Sequence, residues 1–319
     1  MKSILAADIG GTNSRFAHFR TAPGVPLSLV ETRWLPTAAA GSFAELLAQL
    51  SAGGFSPAAM AADSAVIAAA GPVEHGTYCA PPNIAWDIDL ARASDNGKMR
   101  RVALINDFVA QAYACRSPVG QNARVVLPGE ARADGTVGVI GAGTALGKAI
   151  LVQQGEDTVL AIPSEGGHGY FPFLNEQEFA FQRFYAEKSG QRHITGNLVV
   201  SGRGLRYLHW FLTGEDLAPQ EVTARFTPLC ETLAWAARFY GRVCRDFALE
   251  VLAQGGLYIA GGVAAKVPEI VTHDEFRREF YDSPAMGRLL AQLPVRLIDN
   301  EDSGLWGAAY YGQQLLHQG

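Results

Sequence analysis

The sequence predicts an α/β protein built as two lobes, and three observations carry that expectation. With 319 residues and 48% apolar content, the chain can bury a large core, and its length suits two lobes better than one. Short apolar runs of strand character alternate with stretches of helical periodicity. One device, an apolar run broken by glycines and a threonine and then resumed, occurs twice, which points to a pseudo-duplicated fold with a cleft between its halves.

The first copy of the device is Ile4 to Phe19, ILAADIGGTNSRFAHF, which reads as strand, tight turn, strand with Phe16 and Phe19 as its large apolar residues. An amphipathic helix is expected over Phe43 to Leu50. A buried strand follows at Ala65 to Ala69, ended by Gly71 and Pro72. Val102 to Ile105 is the next strand, and Asn106 and Asp107 stand where it gives way to a helix beginning at Phe108. The loop-rich stretch Pro118 to Asp134 sets a lobe boundary near Ser117. The second copy is Val137 to Val152, VGVIGAGTALGKAILV. Helices are expected over Glu176 to Tyr185 and over Leu229 to Leu252, the latter with Leu233, Ala237, Tyr240 and Val251 at three- and four-residue intervals. A third glycine break, Gly261-Gly262, follows the strand Leu257 to Ala260 and continues as helix. The last helix, Leu305 to Leu316, closes back on the first lobe, so the expected lobes are 1–117 plus 305–319 and 118–304.

Lys and Arg total 26 against 31 Asp and Glu, a mildly acidic balance with no electrostatic reason to bind nucleic acid or an anionic membrane. Basic residues form only short clusters, such as Lys98, Arg100 and Arg101. The N-terminal apolar run stops at Asp8, too short for a signal peptide or a membrane span, so a cytoplasmic location is expected. Cys79, Cys115, Cys230 and Cys244 are widely spaced without a CxxC pair, which argues for free thiols rather than a zinc site or disulfide scaffold.

The glycine breaks carry the largest inference. A polyphosphate needs several backbone N–H groups pointing into one space; glycine permits both the turn and the close approach, and a hydroxyl adds a donor. Asp8-Ile9-Gly10-Gly11-Thr12-Asn13 and Gly141-Ala142-Gly143-Thr144 each offer this directly after a strand. A dinucleotide fingerprint would have to open a helix, and no Walker-type GxxxxGK loop occurs. The alternative is two ordinary hairpin turns. Asp8, at a strand end beside such a loop, suits water-mediated holding of Mg²⁺, which takes one or two carboxylates; otherwise it caps the Gly-Gly turn. Asp107 is the candidate base, because phosphoryl transfer asks the protein chiefly to accept the hydroxyl proton and orient the attacking oxygen. Its alternative is to cap the following helix. Asn106 offers donor and acceptor groups to sugar hydroxyls. In Pro163 to Phe171, PSEGGHGYF, Glu165 and His168 could be aimed at neighbouring hydroxyls, or could lie in a solvated loop with Glu165 as a cap. No second His or Cys stands at zinc-ligand spacing.

Taken in order, DIGGTNSR, PPNIAW, LINDF, GAGTALG, SEGGH, SGRGL and LYIAGGV resemble bacterial glucokinases of the hexokinase-like, non-zinc branch, from Ile4 to about Ala309. The resemblance implies a two-lobed actin-like ATPase (ribonuclease H-like) α/β fold, a sugar in the cleft, ATP between the two phosphate hairpins, and a homodimer. It implies that Asp107 is the base for the sugar 6-hydroxyl, and that Asn106, Glu165 and His168 bind other hydroxyls. Asn83 resembles a small-lobe position approaching the sugar. Asp8, Gly10, Gly11 and Thr12 resemble the first phosphate motif, Gly143 and Thr144 the second, and Gly261 and Gly262 the adenosine-side motif. One position departs: the family usually carries Glu four residues before SGxGL, and here Asn197 stands there. Asn loses a charge-assisted acceptor, and such bonds are roughly twice as strong as neutral ones. Gly169-Tyr170-Phe171 replaces the Cys-rich motif of the zinc-containing relatives, and with the first strand at the start no N-terminal DNA-binding domain is expected.

The expected activity is thus Mg²⁺-dependent transfer of a phosphoryl group from ATP to the 6-hydroxyl of glucose, with ADP or polyphosphate as other donors that an anion cradle accepts. Asn197 leaves open a kinase for another hexose or an amino sugar. A reading from a different class is a non-catalytic sugar or nucleotide sensor, which would keep the cleft and lose the base.

Overall fold

The apolar run at the N-terminus forms β1 (Lys2–Ile9), which pairs antiparallel with β2 (Asn13–Ala22) so that Ile9 faces Ser14. Gly10, Gly11 and Thr12 are left as the connection. The computed structural model describes residues 1–56, 61–93, 101–155 and 158–317. They form two compact units: unit 1 is Met1–Asn122, Gly155–Ala161 and Asp302–Gly319, and unit 2 is Ala123–Gln154 and Ile162–Glu301. Lys98 and Arg100 of the basic cluster lie outside the described residues.

In unit 1, β3 (Val25–Pro36) extends the meander on β2. The run Ser64–Ala69, buried at every position, becomes β4 and pairs parallel with β1. Tyr78–Cys79 and Ile88–Asp89 form a two-stranded ribbon, β5 and β6. β7 (Val102–Asn106) lies parallel to β4, which completes the sheet order β3-β2-β1-β4-β7. Continuous rather than alternating burial in β4 fits a parallel strand covered on both faces.

Helix α1 (Phe43–Ala52) starts where Ser42 accepts a hydrogen bond from Glu45 N, while Glu45 accepts one from Gly41 N; it buries Phe43, Leu46 and Leu50. Helix α2 (Asp107–Ala114) follows β7 without a loop. The C-terminal helix Ser303–His317 packs on β1, β4 and α2, within unit 1. Two glycines permit its approach: a Cβ on Gly307 would lie 1.8 Å from Ala110 O, and one on Gly312 would lie 2.7 Å from Ile4 Cγ2.

Unit 2 repeats the opening device. β8 (Arg124–Leu127), β9 (Val137–Ala142), β10 (Leu146–Gln153), β11 (Val159–Ser164), β12 (Gly256–Ala260) and β13 (Val295–Leu297) form a sheet ordered β11-β10-β9-β12-β13-β8. β9 and β10 form the second hairpin, and β12 lies parallel to β9 with Ala260 opposite Gly141. The expected helices appear as α3 (Glu176–Ser189) and α5 (Glu231–Glu250); α4 (Gly202–Thr213) lies between them. Phe181, Tyr185, Phe239 and Phe247 are among the largest fully buried side chains here, each large apolar side chain stabilising the fold by about 1.5–3 kcal/mol. Arg242 on α5 is buried yet well paired: it bonds both oxygens of Glu178 (2.6 and 3.0 Å), Glu279 Oε1 at 2.7 Å and Pro172 O at 2.8 Å. Removing one partner would strand a buried charge. No helix among the described residues is long and apolar enough to cross a membrane.

Candidate active site

Every unit 1 candidate collects at the carboxyl ends of the parallel strands β1, β4 and β7, the edge at which open α/β sheets bind ligands. Register does this for Asp8, the first elbow, Asn106 and Asp107, since Ile9 pairs with Ala69 and Ala69 with Asn106. The first elbow is closed by Gly10 N donating to Asn13 O at 3.1 Å. It is pinned by Thr37, a residue no sequence motif marks: Thr37 Oγ1 donates to Gly10 O at 2.6 Å, and Thr37 N donates to Thr12 O at 3.0 Å. Gly11 and Thr12 are exposed. Asn83 is brought against this loop, because a Cβ on Gly11 would lie 3.0 Å from Asn83 Cβ. Neither Gly10 nor Gly11 has a positive φ, so close approach, not left-handed backbone, is what requires glycine here.

Asp8 is half-buried at the end of β1. Burial raises its carboxyl pKa above the ordinary range; Arg15 works against that shift and Asp302 reinforces it. Among the described residues no hydrogen bond from the Gly-Gly turn reaches this carboxylate. It lies instead against Gly304, where a Cβ would stand 3.1 Å from Asp8 Oδ2. A divalent cation suits a carboxylate so desolvated and repelled, because it relieves both effects. The involvement of Asp302 has no counterpart among the sequence motifs. Among the described residues no cluster of three or more His, Cys, Asp or Glu could form an all-protein metal cage, which leaves the water-rich coordination that Mg²⁺ tolerates.

The helix cap belongs to Asn106, not Asp107. Asn106 Oδ1 accepts from Phe108 N at 2.8 Å and Val109 N at 3.3 Å, and its Nδ2 donates to Gly71 O at 3.1 Å, which ties β7 to the end of β4. One N–H of that amide stays uncommitted by this bond. Asp107 occupies the first helical position, with Oδ1 accepting from Phe108 N at 2.9 Å. Its charge reaches Cys79: burial, then Asp107, push that thiol up to about 11.

In unit 2 the second elbow is closed by Gly143 N donating to Ala145 O at 2.8 Å, with Thr144 exposed. Ala142 N, just before it, donates to Tyr240 Oη at 3.0 Å, so α5 supports the loop. Gly261 adopts φ 88°, and a Cβ there would lie 2.8 Å from Ala142 O. The third glycine break therefore abuts the second, and the helix Gly262–Lys266 begins beside it. Gly202 N donates to Gly143 O at 3.1 Å, which places the start of α4 against the same elbow.

Glu165 precedes a one-turn helix, Gly166–His168, whose last residue is His168. Glu165 makes no capping bond; its Oε2 lies 3.7 Å from His168 Nε2, and both side chains are exposed. Asn197 Oδ1 accepts from Leu146 N at 2.7 Å, so this amide oxygen is occupied by the backbone of β10. The structure thus gathers Asp8, Gly10 to Thr12, Asn83, Asn106 and Asp107 in unit 1. In unit 2 it gathers Gly143, Thr144, Asn197, Gly261 and Gly262, with Glu165 and His168 on the adjoining turn.

Residues 5–315 match the family model described as Glucokinase. A glucokinase of Nostoc punctiforme is 30% identical over 99% of this chain and 100% of its own length. Among solved structures, a glucokinase from an Antarctic psychrotroph superposes with a TM-score of 0.84 at 26% identity, covering 98% of this chain and 99% of that one. A ROK-family glucokinase from Streptomyces griseus, solved with glucose and AMPPNP, shares the fold at a TM-score of 0.63 and 19% identity, over 98% and 99% of the two chains. With these likenesses spanning nearly all of its length, the chain belongs to the glucokinase family, hexokinase-type phosphotransferases of the two-lobed actin-like ATPase fold.

Proposed function

We propose that this protein transfers the γ-phosphoryl group of ATP to the 6-hydroxyl of glucose, with Asp107 as general base. The observation that carries the assignment is the placing of Asp107 at the strand edge that also presents Asp8 and the Gly10–Thr12 elbow, while Asn106 takes over the capping duty. The sugar 6-oxygen gives its proton to the Asp107 carboxylate as it attacks the γ-phosphorus; the new O–P bond forms while the bridging O–P bond to ADP breaks. Gly11 and Thr12, together with Thr144, supply N–H and hydroxyl donors to the phosphates, on elbows that Gly10 and Gly143 close. Gly261 and Gly262 serve the adenosine side. Asp8 would hold Mg²⁺ through water, and the ion when bound neutralises developing phosphate charge. Asn83, Asn106, Glu165, His168 and Asn197 bind the remaining hydroxyls; with Oδ1 engaged, Asn197 offers only the N–H groups of Nδ2.

This reading includes a cytoplasmic homodimer serving sugar breakdown. A second reading, a kinase for another hexose or an amino sugar, is favoured by the neutral Asn197. ADP release measured over a panel of glucose, mannose, fructose and N-acetylglucosamine decides between them: the highest kcat/KM is expected with glucose. Sugar-independent ATP hydrolysis, or none, would refute the assignment and favour a non-catalytic sensor.

A further inference from the structure

One amide side chain stands where three segments of unit 2 meet. Asn197 Oδ1 accepts from Leu146 N, at the first residue of β10 after the Gly143–Thr144 elbow. The same oxygen rests on the Glu165–His168 turn: a Cβ on Gly167 would lie 2.4 Å from Asn197 Oδ1 and 2.0 Å from Leu146 O. Behind it, a Cβ on Gly196 would lie 3.1 Å from Leu146 Cδ2 and 3.2 Å from Gly167 O, and Gly196 N donates to Gly169 O at 3.0 Å. The chain from Gly196 then reaches Gly202, whose N–H bonds Gly143 O. At these contacts Gly167 has no room for a side chain and Gly196 little, so a shift of the turn presses on Asn197 and Leu146 directly. The amide cannot flip, because Leu146 N is a donor and only Oδ1 can receive it.

We propose that Asn197 is a positioning residue that couples the Glu165–His168 turn to the Gly143–Thr144 elbow, so that sugar held at the turn tightens nucleotide at the elbow, and the reverse. This rests on the assignment of sugar and ATP to those two places. Coupling between sites is reciprocal, and typical factors are about 5–150-fold.

The test is AMPPNP binding to the full chain with Mg²⁺, by calorimetry, without glucose and with saturating glucose. Wild-type protein is expected to bind the analogue at least about fivefold tighter with glucose. In Asn197→Ala the ratio falls to near one while both ligands still bind. In Asn197→Asp, which keeps an acceptor oxygen for Leu146 N–H, the ratio is retained. Should the alanine variant fail to fold, Asn197→Ser, whose hydroxyl is too short to reach Leu146 N, is read in its place. A wild-type ratio near one, or an undiminished ratio in the alanine or serine variant, overturns the coupling. Weakened glucose binding with the ratio intact does so too, and makes Asn197 a sugar ligand alone. If wild-type protein binds neither glucose nor AMPPNP, the underlying assignment fails, and the coupling with it.

Discussion

Replacing Asp107 by Asn separates chemistry from folding, because the structure sets the two effects at different magnitudes. The helix cap is untouched, since Asn106 Oδ1 receives Phe108 N and Val109 N. Asn at 107 also keeps an oxygen for Phe108 N, the 2.9 Å bond that Asp107 Oδ1 now accepts. At the helix itself folding loses one negative charge in the first turn of α2, worth about 0.3–1 kcal/mol. For a protein of this size that lowers the melting temperature by no more than about 4 °C. Catalysis loses its proton acceptor, which general-base effects put at roughly 10²–10⁴ in rate, or about 3–5 kcal/mol of barrier. The assays are coupled ADP release at saturating glucose and ATP, and a thermal melt of the same preparation. Expected is a loss of at least about a hundredfold in kcat with a nearly unchanged melt. Retention of more than about a tenth of wild-type turnover would refute the base assignment. A large drop in melting temperature would instead mean that Asp107 is a structural residue.

Three further outcomes follow from particular contacts. Gly307→Ala drives a Cβ to within 1.8 Å of Ala110 O at the crossing of the C-terminal helix and α2, so urea unfolding should report a loss of about 3 kcal/mol or more, at the upper end of overpacking costs; a loss under about 1 kcal/mol would show the helices free to separate. Asp8→Asn removes a carboxylate whose pKa burial raises. The folded state binds its proton more tightly than the unfolded chain, so the ionised group weakens the fold as pH rises above the ordinary value of about 3.9; the variant should melt higher than wild type at pH 7 in the absence of Mg²⁺ and nucleotide, yet turn over more slowly. His18 is buried, bonded through Nε2 to Ser3 Oγ at 2.9 Å, and its pKa is lowered by burial and then by Arg20. The unfolded chain therefore takes up a proton first as pH falls through about 6.5, costing stability at up to about 1.4 kcal/mol per pH unit until the folded pKa is reached. In denaturant titrations at pH 7.5 and 5.5, His18→Gln should show a smaller acid loss than wild type, and an equal loss would refute this account.

Much of this molecule was legible locally. Apolar runs of four to six residues located β1, β4, β7, β9 and β12, because buried parallel strands need continuous apolar sequence. The three- and four-residue spacing of Leu233, Ala237 and Tyr240 located α5. Both glycine elbows followed from the break between paired apolar runs. Their glycines were argued from both turn conformation and close approach, and of Gly10, Gly11, Gly143 and Gly261 only Gly261 has a positive φ. Gly10 and Gly11 serve close approach, which depends on neighbours distant in the chain.

What the sequence by itself determined, then, is the set of elements and the residue types at their ends, since both arise from side-chain periodicity and short-range backbone preference. Tertiary structure decided which ends meet. The parallel register that sets Asp8, Gly71 and Asn106 along one edge is a pairing between segments about 35 to 60 residues apart. The pinning of the first elbow by Thr37 and the engagement of Asn197 Oδ1 by Leu146 N likewise join segments 27 and 51 residues apart, and Asp302 acts on Asp8 from the far end of the chain. Such contacts depend on how whole surfaces pack, and no local spacing encodes them.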